Sequence, residues 1–296
     1  MKKNSITICC ATLGALSFML STGCQEPTTA TVQPVGIDTT GVSASGTMRF
    51  EGEIISIPSP VLIAAVLQKN NIQFKQELLN QLQNKNKYVN ETKKALNLGV
   101  YGSDLAYLSN YNLGQTTVDY FDAVASLASE LEILDKVDRS IISSFQTNMD
   151  KRDSLLALNG DFFRAADLYL KSSDRSHLSS YILIGGWVES MHLILDAAGQ
   201  NEELRKRLAE QKYSASSIKY LASKLNDSAF AKTKVELENV CTTLDGLEST
   251  YVYRKPINDE RKKKTYFTSV TSVKLPDDKL ASLKEQITTV RNLIIE

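Results

Sequence analysis

The residues best placed to do chemistry are two acids, Asp104 and Glu189, each lying in a helical segment that carries glycines. If those segments cross, the two carboxyls converge as the acid and base, or acid and nucleophile, of an exported hydrolase or lyase. Tyr101, Tyr107 and Trp187 would then line a saccharide- or peptide-sized groove beside them. The same pattern has a plainer reading, in which the aromatics fill the core and the acids are exposed or capped.

Other chemistry finds less support. Only two histidines exist, His177 and His192, so histidine acid–base catalysis has few options. Glu189-Ser190-Met191-His192 and Asp174-Arg175-Ser176-His177 have the carboxylate-to-histidine spacing of a helical metal motif. On one helix the two histidines would stand ~22 Å apart at the α-helical rise, too far to share an ion. Asp174 reads better as a helix cap and His192 as a partly buried side chain, so no metal and no cofactor is expected. No phosphate-binding glycine loop, CxxC, HExxH or GxSxG sequence occurs.

The elements that must position these residues are helices. Ala95, Gly99, Gly102 and Ala106 share one face of the first segment, and Ser179, Gly186, Ser190 and Ala197 share one face of the second, where Gly185 precedes Gly186. Each glycine inside a helix costs about 0.5–1 kcal/mol against alanine, so a close approach of two backbones is expected there. Aligning Gly99 with Gly185 pairs Tyr101 with Trp187 and Leu105 with Met191, the pattern of a duplicated helical hairpin. Apolar periodicity and capping residues predict helices over 59–69, 74–84, 87–112, 115–133, 137–157, 160–172, 176–198, 201–225, 228–249 and 277–296. Leu280, Leu283, Ile287, Val290 and Ile294 draw one stripe on the last of these, which needs a partner. The exception is 250–274, where Tyr251-Val252-Tyr253 and Tyr266-Phe267-Thr268 flank turn residues and predict a small β-hairpin. Arg261-Lys262-Lys263-Lys264 near its tip would either meet an acidic partner or lipid headgroups, or guard the strand edges. The expected fold is all-α, a helical bundle or helical-hairpin array with a small β-hairpin near the C-terminus.

The start of the chain reads as an export signal, with Lys2 and Lys3 before the uncharged apolar run from Ile6 to Leu20. That run is short of the roughly 20 residues that span a bilayer. Leu20-Ser21-Thr22-Gly23-Cys24 resembles a bacterial lipobox, with Ser21 where a leucine is usual, and the resemblance implies cleavage before an acylated Cys24. Of the four cysteines, Cys9 and Cys10 leave with the signal and Cys24 carries lipid, so Cys241 alone remains and no internal disulfide forms. The expected organisation is a signal peptide at 1–23, lipidated Cys24 with a flexible linker over 24–55, and a helical domain at 56–296. No Asp follows the cysteine, which by resemblance to sorting rules implies the outer membrane. The 34 basic and 34 acidic side chains cancel, which argues against nucleic acid as a partner, while 42% hydrophobic content suffices for a core.

Three segments, ALNLGVYGSDLAYL at 95–108, GGWVES at 185–190 and LASLKEQITTVRNLIIE at 280–296, together resemble a family of uncharacterised, mainly helical lipoproteins of Bacteroidetes bacteria. The resemblance implies an envelope lipoprotein of helical fold and no particular activity. The sequence therefore points first to a membrane-anchored binding or scaffold module facing another envelope protein or a glycan, with the Asp104–Glu189 enzyme second.

Overall fold

The computed structural model describes the backbone of residues 47–50 and the whole of residues 53–111 and 113–296. The expected signal peptide, Cys24 and most of the expected linker lie outside the described residues. Ten α-helices carry the described chain: α1 (Pro60–Lys69), α2 (Glu91–Ser109), α3 (Gly114–Glu130), α4 (Arg139–Thr147), α5 (Arg152–Ser172), α6 (Ser176–Ala198), α7 (Glu202–Glu210), α8 (Lys212–Ser223), α9 (Ala231–Asp245) and α10 (Asp277–Ile295). The protein is mostly α, with three short antiparallel strand pairs among the described residues, two of which build the expected C-terminal hairpin.

Helices α2 and α6 cross at the centre, because two glycines let them. A Cβ on Gly99 would run into the carbonyl oxygen of Ile182 and stand 2.6 Å from the nitrogen of Gly186, and one on Gly185 would strike the backbone of Leu96. Any side chain at either position would hold the backbones apart. The neighbouring glycines matter less: at Gly186 a Cβ would rest 3.4 Å from the nearest atom, and at Gly102 it would meet the movable ring of Phe163 on α5. The contact on α6 is therefore made by Gly185, one residue from the small-residue face that the spacing suggests. By length and apolar content α6 could cross a membrane, yet 83% of its apolar window is buried inside the protein. It is the hub of the fold, with α1, α2, α5, α7 and α10 packed around it.

Helix α10 closes the bundle against α6 and α9, burying Leu283, Ile287, Val290 and Ile294 along the expected stripe. Its C-terminal carbonyls are met from α2: Lys93 Nζ donates to Leu293 O, and Asn97 Nδ2 donates to Ile294 O at 2.9 Å. A cation and an amide donor at a helix C-terminus complement its dipole. Side-chain caps start several other helices, with Asn90 Oδ1 accepting from Lys93 N at 2.8 Å and Asn201 Oδ1 from Leu204 N at 3.1 Å.

Three helices stop in the same way. Asn71, Glu132 and Asp174 adopt positive φ after α1, α3 and α5, and the next amide in each case reaches back five residues, as Arg175 N does to Leu170 O at 2.8 Å. Asp174 thus ends α5, instead of capping α6 as its sequence context suggests. The expected break at Asn159-Gly160 is also absent, since α5 runs straight through and Asn159 Nδ2 donates to the Gly102 carbonyl at 3.0 Å. The chain breaks instead between Thr147 and Arg152, and again at Gln211, which splits the expected helix 201–225 into α7 and α8.

The folded body begins earlier than residue 56. β1 (Thr47–Phe50) and β2 (Glu53–Ser56) pair antiparallel, Ile55 is buried, and Ser56 N donates to Ser217 Oγ on α8 at 3.1 Å. The end of the expected linker is therefore strand, its register set by the alternation of exposed Ile54 with buried Ile55. At the other end, β3 (Ser249–Val252) pairs with β6 (Val270–Val273), and between them β4 (Ile257–Asp259) pairs with β5 (Lys264–Tyr266). They form one long hairpin joining α9 to α10.

Candidate functional site

The crossing of α2 and α6 brings Asp104 and Glu189 together, and α10 adds a third charged residue. Arg291 Nε donates to Glu189 Oε2 at 2.7 Å and Nη2 to Oε1 at 2.9 Å, a bidentate ion pair in the interior. The same Nη2 donates to the carbonyl of Leu78 at 2.9 Å. Asp104 Oδ2 accepts the backbone N–H of Asn80 at 3.0 Å, while Oδ1 has no hydrogen-bond partner. Burial holds the Asp104 carboxyl well above the usual range, the charge of Glu189 pushes it further up, and Arg291 and the Asn80 N–H only partly oppose them. Burial beside Glu189 therefore favours the protonated form of Asp104.

A strap of chain between α1 and α2 supplies the remaining partners. The sequence predicts a helix over 74–84, but only short 3₁₀ turns form there, at Gln76–Leu78 and Leu82–Lys87. The reason is competition for its backbone. Asn80 gives its N–H to Asp104 and its carbonyl to Tyr120 Oη at 2.8 Å, Tyr101 Oη takes the carbonyl of Gln81 at 2.7 Å, and Lys75 N donates to Tyr107 Oη at 3.1 Å. A helix would need those groups for itself. The Asn80 side chain continues the network to Tyr88 Oη at 3.0 Å and Asn97 Oδ1 at 3.3 Å.

Of the five residues expected around a groove, Tyr101, Asp104 and Glu189 belong to this network. Tyr107 instead packs with Phe74 and Tyr111, ring centroids 5.7 and 5.0 Å away. Trp187 gives its indole N–H to Gln211 Oε1 at 3.0 Å at the junction of α7 and α8. Two positions from Glu189 on a helix, it faces another way. Nor do the proposed repeats match beyond their first helices, since α3 is continuous whereas α7 and α8 are separate. All five side chains are at most 2% exposed, so they form packed interior and no open groove. Burial pushes the Tyr101 phenol well up as well, so it stays neutral.

Arg291 belongs to none of the sequence patterns that point to chemistry. Its position gives a signal: four residues after Ile287 and three before Ile294, it interrupts the apolar stripe of α10 with a charge. A cation on a buried stripe needs a buried anion, and Glu189 is that anion.

No other reactive constellation forms among the described residues. Among the described residues no three His, Cys, Asp or Glu side chains gather in a metal-binding group. Glu189 spends both oxygens on Arg291, and burial lowers the His192 pKa and favours the neutral ring. Cys241 is buried in α9, where burial pushes its thiol up to about 12. A small apolar crevice between α3, α4 and α5 is lined by Phe121, Phe145 and Met149. It offers no convergent polar groups. The chain matches no family model, no curated protein and no solved structure.

The surface provides the other candidate. Among the described residues fourteen large apolar side chains are exposed, and seven of them lie in the hairpin between α9 and α10. Phe267 is 84% exposed and Tyr253 68%. The same 26 residues, 249–274, hold seven basic and two acidic side chains, a local charge of +5 in a chain whose total is zero.

Proposed function

We propose that the chain is a lipid-anchored binding or scaffold module of the cell envelope, fixed to the outer membrane through Cys24 and making its contacts through the C-terminal hairpin. The observation that carries this reading is the concentration of exposed apolar and basic side chains on that one element. Exposed apolar clusters of this kind mark interaction sites. The lipobox-like sequence and the linker support the anchor, and the resemblance to Bacteroidetes lipoproteins supports the compartment. An enzyme built on Asp104 and Glu189 is the weaker alternative, because both carboxyls are fully buried.

The test has two arms. Labelling with a fatty acid should mark the wild-type chain and leave Cys24→Ala unlabelled; equal label on both removes the anchor. Cross-linking in intact envelopes should recover hairpin-dependent adducts, and adducts unaffected by Tyr253→Ser with Phe267→Ser place the contact surface elsewhere.

A further inference from the structure

We propose that the hairpin between α9 and α10 is a membrane-surface element that docks on anionic phospholipid, laying the helical body against the bilayer. The proposal rests on the binding-module reading and names its partner.

The hairpin is firmly rooted and otherwise uncovered. At its base Val273 and Leu275 pack on the core, Lys274 N donates to Glu248 O at 3.0 Å, and Arg205 Nη2 donates to Leu275 O at 2.9 Å. Beyond the base every residue of β3 and β5 is exposed. An isolated two-stranded ribbon is marginal in water, and one that shows apolar side chains gains from a partner that covers them.

Its apolar residues are ordered. Val252 opposes Val270, and Ile257 opposes Tyr266, so each is a cross-strand pair. Five steps separate Val252 from Ile257 but four separate Tyr266 from Val270, so the first strand carries one extra residue, as in a bulge. Side chains bridge the gap: Thr268 Oγ1 donates to Lys255 O at 3.0 Å, and Ser269 Oγ accepts from Arg254 N at 3.1 Å.

The charge selects the occupant. Arg261 to Lys264 form the tip, Arg254 and Lys255 flank the bulge, and only Lys262 meets a carboxylate, Asp259 at 3.7 Å. Guarding of strand edges explains such charge but leaves exposed Tyr253 and Phe267 unexplained. A protein partner fits poorly, since five of the seven cations are lysines, which protein interfaces disfavour. Aromatic and aliphatic side chains beside flexible lysines match a lipid interface, where rings settle at headgroup depth and ammonium groups reach the phosphates. Each basic residue near an anionic surface strengthens binding, and the contribution is screened by salt.

The test is co-sedimentation of the full chain carrying Cys24→Ser with vesicles of phosphatidylethanolamine and phosphatidylglycerol, or of phosphatidylcholine alone. Residues 1–23 are present in every arm, so the readout is the difference between hairpin variants. The unmodified hairpin should bind anionic vesicles, lose binding at high salt and bind phosphatidylcholine weakly. Joint replacement of Arg261, Lys262, Lys263 and Lys264 by Gln should weaken anionic binding at least about tenfold. Tyr253→Ser with Phe267→Ser should weaken it several-fold, and both variants should keep the wild-type melting temperature.

Equal binding by all three hairpins overturns the proposal. So does a loss confined to the charge variant with matching affinity for dextran sulfate, which identifies a polyanion site. If vesicle binding is indifferent to the hairpin while cross-linking to an envelope protein depends on it, the binding-module reading stands and the lipid partner falls. If neither depends on the hairpin, both fall.

Discussion

The crossing of α2, α6 and α10 and the hairpin between α9 and α10 handle charge in opposite ways. In the crossing, Arg291, Glu189 and Asp104 are buried, Arg291 and Glu189 pair with each other, and Arg291 and Asp104 also bond nearby backbone. In the hairpin, seven cations and seven large apolar side chains face solvent with almost no partners from the chain. The acids whose types suggest chemistry are enclosed in the fold, where a buried charge must be neutralised locally. The residues free to act on another molecule are those that the fold leaves unpaired.

That contrast breaks hardest at Arg291. Arg291→Met leaves Glu189 buried without its cation, and chemical denaturation should show a loss of about 3–5 kcal/mol. A loss under about 1 kcal/mol would mean that water reaches the pair. Next come the adjacent glycines of α6. Gly185→Ala forces a Cβ into the backbone of Leu96 and should cost about 3 kcal/mol, whereas Gly186→Ala has room and should be neutral or gain a few tenths from helix propensity. Thermal melts giving both the same sign would remove the account of the crossing.

The third probe is pH. Asp104 holds its proton more tightly folded than unfolded, so its stabilising contribution is complete below the ordinary carboxylate range and is lost as pH rises toward its folded value. Asp104→Asn mimics the neutral acid. It should match the wild type only in buffer below the ordinary carboxylate range, and its advantage should grow by about 1.4 kcal/mol per pH unit as pH rises from there toward the folded value of Asp104. Parallel melting curves for the two proteins across that range would show that Asp104 is ionised in the fold. The smallest effect is expected at an exposed helix end: Glu132 sits at φ 56°, and Glu132→Gly should raise stability by about 0.5–1 kcal/mol through relief of the left-handed backbone.

How far these features could be read beforehand varied with their physical origin. The bounds of α6 follow from its apolar pattern, and α10 is given by its stripe and the preceding turn residues. The strap at 73–88 was unreadable as such, because its irregularity comes from side chains on α2 and α3 that take its amides and carbonyls. Asn159-Gly160 has the composition of a break, yet the bond from Asn159 to the Gly102 carbonyl keeps it helical. The early strands were lost in a Ser-, Thr- and Gly-rich background, and Ile55 alone shows a buried partner.

The sequence by itself determined that this is a mainly helical protein, that glycines at 99 and 185 need a reason, and that a basic, aromatic hairpin lies between the last two helices. These are properties of local composition and period, which a chain carries without knowing its neighbours. Only the tertiary structure decided that Asp104 and Glu189 meet, that Arg291 joins them, and that all three are buried. Burial and pairing belong to two or three elements at once, and the helices that supply them are far apart in the chain.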